Sequence, residues 1–241
     1  MAEFTRSARD SLAFALDLPD EGQARQMAEL VAPEVGVLKV GLELFVRAGP
    51  QAARIGPEYG RKTFLDLKLH DIPETVERAV GNACQLGVKY LTVHASGGER
   101  MLERAIERVA AEQSELTILA VTVLTSLDSG DLQKMGVGGS SGDQVLRLAK
   151  LAWSAGVRGF VCSPADVRRL RSELGSEAFL VTPGIRPAGP SSDDQKRVGT
   201  PGDAIRCGAN LLVVGRPIRD AADPAAAAAA IRQEVATALN A

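Results

Sequence analysis

The sequence predicts an α/β chain folded as a (β/α)8 TIM barrel, and three observations carry that prediction. Short apolar runs alternate with longer amphipathic segments along the whole chain, the pattern of repeated βα units around a parallel sheet. Eight such runs occur in 241 residues, a length that suits one closed barrel. No linker-like break in composition divides the chain, so residues 1–241 read as a single domain.

The expected strands are LAFALD (12–17), VGVLKVG (35–41), KTFLDLK (62–68), KYLTVHA (89–95), LTILAVTVL (116–124), GFVCS (159–163), AFLVTP (178–183) and NLLVVG (210–215). Between most of them lie segments such as PETVERAVGNACQLG (73–87) and GERMLERAIERVAAEQ (98–113), whose apolar residues recur at three and four. The stretch between the seventh and eighth strands is less clearly helical. The alanine run at 225–230 follows Asp223 and Pro224, an N-cap with proline at the first helical position, and so begins a terminal helix. GVGGSSGD (136–143) lacks the GK[ST] ending of a phosphate loop and reads as a flexible connection into a helix over 144–155.

Composition narrows the class of function. A formal net charge of −2 and no lysine or arginine block leave no electrostatic footprint for nucleic acid. No window approaches the ~20 apolar residues of a membrane span, and the charged first ten residues do not resemble a secretion signal, so a cytoplasmic protein is expected. Cys84, Cys162 and Cys207 are widely spaced in apolar surroundings, without a metal-ligand pattern near His70 or His94, and read as reduced thiols.

Barrels of this kind carry their sites at the carboxyl ends of the strands. Asp17, Lys39, Asp66, Lys68, Thr125, Arg186 and Arg216 all fall at or just after strand ends. Asp66 and Lys68 stand at i and i+2, which points both to one face of a regular strand. Lys39, from the neighbouring strand, can lie beside Asp66, and Asp71 can extend the row. An alternating row of cation and anion keeps each charge paired where none would be stable alone. One reading is an ion-pair network that ties strand ends together. The other is catalytic, because several buried charges are seldom better than apolar packing and these collect on the face where barrels do chemistry. The carboxylates favour a protonated Lys68, which suits a proton donor and argues against a Schiff-base lysine.

A second group points to phosphate. VTPGIRP (181–187) and VVGRP (213–217) each place an arginine just after a strand end, in the loops that form the usual phosphate site of such barrels. Arg186 and Arg216 offer planar forks of donors, and Gly215 allows close approach of the backbone to an anion.

The segment TFLDLKLHDIPETV (63–76), with its D-x-K-x-x-D-I core and a threonine three residues on, resembles the signature of the orotidine 5′-phosphate decarboxylase family. LDLPD (16–20), LKVG (38–41), VTVLTS (121–126), PGIRP (183–187), the DQ at 194–195 and GRPI (215–218) extend the resemblance in the family's order. It implies a cofactor-independent, metal-free decarboxylase that converts orotidine 5′-phosphate to uridine 5′-phosphate in the last step of UMP synthesis. It further implies Lys39, Asp66, Lys68 and Asp71 as the catalytic network, with Lys68 protonating C6 of the pyrimidine. Asp17 and Lys39 would hold ribose hydroxyls, and Thr125 and Ser126 would lie by the base. Arg186, Gln195, Gly215 and Arg216 would take the phosphate. Asp71, Ile72 and Thr75 would belong to a site shared across a homodimer interface. Residues 186–203, rich in Pro, Gly, Ser and Asp, would form a lid with Gln195 at its tip. Two alternatives stand beside this reading: a magnesium-dependent sugar-phosphate decarboxylase of the same superfamily, which Lys39 disfavours, and a phosphate-ligand barrel without catalysis.

Overall fold

The computed structural model describes residues 7–187 and 199–241. Its strands are β1 (Leu12–Ala15), β2 (Val37–Gly41), β3 (Lys62–Leu69), β4 (Tyr90–His94), β5 (Thr117–Val121), β6 (Gly159–Val161), β7 (Phe179–Thr182) and β8 (Leu211–Val214). They pair in parallel in chain order, and β8 returns to β1 through Leu12 and Leu212, Ala13 and Val213, and Phe14 and Val214, which closes the barrel. The eight expected runs are the eight strands, each within its expected span except β3, which continues to Leu69.

Alternation along the strands sorts the apolar residues into two cores. Ala13, Ala15, Val37, Phe64, Tyr90, Leu119, Val181, Leu211 and Val213 fill the inside of the barrel. Tyr90 stacks on Phe179 with ring centroids 5.5 Å apart and meets Phe64 edge-on at 6.0 Å, so the interior is plugged by side chains. The residues of opposite parity, including Leu12, Phe14, Leu38, Val40, Leu65, Leu91 and Val93, pack outward against the helices.

The helices follow the sequence logic closely. Pro73–Gln85 has proline in its first turn and buries Val76, Val80 and Ala83. Pro224–Leu239 starts where Asp223 accepts a hydrogen bond from the Ala226 amide, and it buries Ala228, Ile231, Val235 and Ala238. Two expectations need correction. The helix expected at 144–155 is Ser141–Ser154, because Ser140 and Asp143 form a reciprocal capping box that starts it three residues earlier. The expected lid at 186–203 ends sooner, because Thr200 caps a helix over Pro201–Arg206. Gly199 is already tied down, donating to the Gly184 carbonyl and accepting from the Arg186 amide.

Candidate active site

Two residues beyond the inner core on five of the strands, the inward face changes character. From Ala15, Val37, Phe64, Tyr90 and Val213 one step of two leads to Asp17, Lys39, Asp66, Thr92 and Gly215. The apolar plug thus ends in a polar layer at the carboxyl end of the barrel, under a cavity of about 600 Å3. Asp17, Lys39, Asp66 and Lys68 line it, together with Thr125, Arg186, Gly215 and Arg216.

The charge row is built within the chain. Lys39 Nζ lies 3.0 Å from Asp17 Oδ1 and 3.5 Å from Asp66 Oδ2. Lys68 Nζ donates to both Asp66 oxygens, at 2.9 and 3.0 Å. Lys39 is only 8% exposed. Burial disfavours its charge, but the carboxylates of Asp66 and Asp17 outweigh that and hold the ammonium above its ordinary range. Asp66 shows the mirror image: burial would raise it, and the charges of Lys39 and Lys68 with the hydrogen bonds of Lys68 and Thr92 keep it below the usual carboxylate range. Removing either partner strands the other, at a cost of about 3–5 kcal/mol for a fully buried pair.

Asp66 and Lys68 do converge on the cavity, but not along a regular strand. Leu65 pairs with Leu91 and Leu69 with Val93, so four steps along β3 match two along β4. The excess is taken up in a bulge where Lys68 has φ 51°, a left-handed conformation rare for a long side chain.

Asp71 does not join the row in this chain. It is exposed, and its carboxylate accepts from the amide of Ile72 at 2.6 Å. Ile72 and Thr75 are exposed as well, and neither they nor Ser126 line the cavity. Gln195 lies outside the described residues.

Several contributors were not anticipated. Thr92 donates its hydroxyl to Asp66 Oδ1 and accepts from the Lys68 amide, both at 2.9 Å. As a β-branched residue in a strand it carries no sequence signal beyond its inward parity with Tyr90. Gly41 leaves room for the row, since a Cβ there would stand 3.0 Å from Lys39 Nζ and 3.1 Å from Asp17 Oδ1 and would push those groups by a few tenths of an ångström. Arg219, one turn past Arg216, lines the cavity, pairs with Asp220 and donates to the Asp17 carbonyl at 3.0 Å. Cys162, just past the end of β6, lines the cavity too. Among the described residues no cluster of three or more His, Cys, Asp or Glu is placed to hold a metal ion, and no helix is long and apolar enough to cross a membrane.

Fold and cavity together define a (β/α)8 barrel with a paired ammonium–carboxylate site and arginines in the loops after its last two strands. The chain belongs to the Orotidine 5′-phosphate decarboxylase / HUMPS family, which it matches over residues 10–231. The orotidine 5′-phosphate decarboxylase of Anaeromyxobacter sp. (strain K) is 52% identical over 217 residues, 90% of this chain and 94% of that protein. That of Halorhodospira halophila is 49% identical, with 94% and 96% of the two chains covered. The crystal structure of orotidine 5′-phosphate decarboxylase from Lactobacillus acidophilus superposes with a TM-score of 0.83 at 38% identity, over 94% of this chain and 99% of that one.

Proposed function

We propose that this protein is a carboxy-lyase that converts orotidine 5′-phosphate to uridine 5′-phosphate and CO2, the last step of UMP synthesis, with no cofactor. The observation that carries the reading is the Lys39–Asp66–Lys68 row at the edge of the cavity. Decarboxylation breaks the bond between C6 and the carboxylate, CO2 departs, and the electron pair stays on C6. In this reading no cofactor spreads that charge. Lys68, fixed by Asp66, places an ammonium where the negative charge develops, and it stabilises the carbanion without reorganising at the moment of reaction. The same ammonium then gives its proton to C6, and solvent restores it.

Asp17 and Lys39 hold the ribose hydroxyls in this reading, and Thr125 and Ser126 lie by the pyrimidine. Arg186, Gln195, Gly215 and Arg216 bind the phosphate, whose contacts far from C6 contribute to rate if they also close a lid over the site. Asp71, Ile72 and Thr75 complete the site of a second subunit in a homodimer. Their exposure beside Lys68 supports this, and Ile72, at 65% exposed, has apolar surface to bury there. The protein works in the cytoplasm, on a small-molecule substrate, with neither nucleic acid nor membrane as partner.

Lys39 also weighs against the magnesium-dependent sugar-phosphate alternative. Its ammonium occupies the space between the Asp17 and Asp66 carboxylates, whose oxygens a divalent ion would need, and it would repel the ion.

The direct test is the loss of orotidine 5′-phosphate absorbance on adding purified protein, with and without EDTA. Rapid loss indifferent to chelator is expected; no loss from folded protein in either condition would sink the reading. Sharing of the site is tested by mixing Asp71→Ala with Lys68→Ala subunits. Part of the activity should return, and no recovery despite confirmed subunit exchange would count against a shared site.

A further inference from the structure

We propose that Thr92 is a positioning residue that clamps Lys68 in its bulged, left-handed conformation and so aims the ammonium at the reacting carbon; this rests on Lys68 being the proton donor. The bulge removes Lys68 from the regular ladder between β3 and β4. Its amide finds an acceptor instead in Thr92 Oγ1, at 2.9 Å. A hydroxyl has a single proton, and Thr92 gives its own to Asp66 Oδ1, also at 2.9 Å. That oxygen in turn accepts from Lys68 Nζ at 2.9 Å. The result is a closed ring: Lys68 amide, Thr92 hydroxyl, Asp66 carboxylate, Lys68 ammonium. Both ends of one lysine are held through one threonine.

A lysine seldom keeps a positive φ unless its surroundings impose it. Thr92 is 1% exposed, so water cannot readily take over either bond. It does not line the cavity, and its loss acts on the placement of Lys68 rather than on substrate contacts. The predicted signature is therefore a fall in kcat with KM nearly unchanged.

The test compares kcat and KM for orotidine 5′-phosphate in the wild-type enzyme, Thr92→Val, Thr92→Ser and Thr92→Cys, with crystal structures of the wild type and the valine variant. Valine keeps the shape and removes both bonds; kcat should fall about 30- to 100-fold with KM within about threefold. Serine restores the hydroxyl and should return kcat to within about fivefold of wild type, with cysteine, a weaker donor and acceptor, falling between. In the Thr92→Val crystal, Lys68 should leave the positive-φ region. If valine does not fold, the cysteine variant carries the test, and wild-type kcat in it overturns the proposal. So does a kcat within about twofold of wild type in the valine variant, a fall that serine does not repair, or an unmoved Lys68 backbone. Should the wild-type protein itself leave orotidine 5′-phosphate intact, the decarboxylase reading falls, and the Lys68 backbone in the two crystals still decides the clamp.

Discussion

The two ends of the barrel each hold a partly or fully buried cation and satisfy it differently. At the amino ends of β7 and β8, Arg171 is surrounded by neutral acceptors: the carbonyls of Gly175, Ala178 and Gly208 and the side chain of Asn210, at 2.6–2.9 Å. Asn210 Oδ1 also accepts from the Leu180 amide, so the guanidinium ties two strand entrances to one helix. At the carboxyl ends, Lys39 and Lys68 face carboxylates instead, and the row borders an open cavity. Neutral carbonyls satisfy a charge and leave it nothing further to do. An ion row beside a cavity keeps a charge poised for a substrate, at the desolvation cost that makes such rows poor staples.

Lys68→Ala should break the comparison most sharply: turnover should drop by at least about 10^4-fold while uridine 5′-phosphate still binds, as measured by absorbance assay and calorimetry. Normal turnover in that variant would remove the lysine from the chemistry. Arg216→Ala should weaken substrate and turnover together, with kcat/KM down by about 10^2-fold or more, because a charge-assisted phosphate contact is lost.

Arg171→Ala supplies the contrast from the opposite end. It should lower stability by about 2 kcal/mol, a fall in Tm of about 4–8 °C in a chain of this size, with kcat/KM unchanged. Lost activity in the folded variant would mean that the lower network reaches the site.

The smallest expected effect concerns His94, whose ring centroid lies 5.3 Å from that of His70 just outside the charge row. Burial, the neighbouring His70 and the Lys68 charge hold His94 below its ordinary value of 6.5. A depressed histidine binds fewer protons folded than unfolded, so its contribution is complete above that value and is lost as pH falls through the folded pKa. Thermal melts from pH 7.5 down to 5 should lose stability, and His94→Gln should flatten the decline by about 1–2 °C. A parallel decline in the variant would assign the slope to other groups.

What could be read from the sequence follows from what each feature depends on. Strand number and order depend on hydrophobic periodicity, which is local, and all eight runs became strands. Asp17, Lys39, Thr125 and the arginines after β7 and β8 were legible because a barrel brings strand ends together whatever the details of packing. Lys68 reached the cavity for a reason the sequence did not disclose, since a bulge depends on how β3 and β4 register and no glycine or proline marks it. Thr92 and Gly41 escaped for a similar reason. A threonine in a strand and a glycine at a strand end are ordinary residues until the neighbour that needs a hydroxyl or an empty space is known. Arg219 depends on a contact with Asp17, which lies at the far end of the chain.

That contact sets an order of events. Asp17 is made 202 residues before Arg219, and the pairing of β1 with β8 is what joins them. A chain still growing on the ribosome can fold helices and pair its early strands, but until β8 is made it has no seam to close and lacks the cavity wall that Gly215, Arg216 and Arg219 supply. The catalyst therefore comes into being in one late step, and a truncated or stalled product that stops short of β8 is inert however much of the barrel it has built.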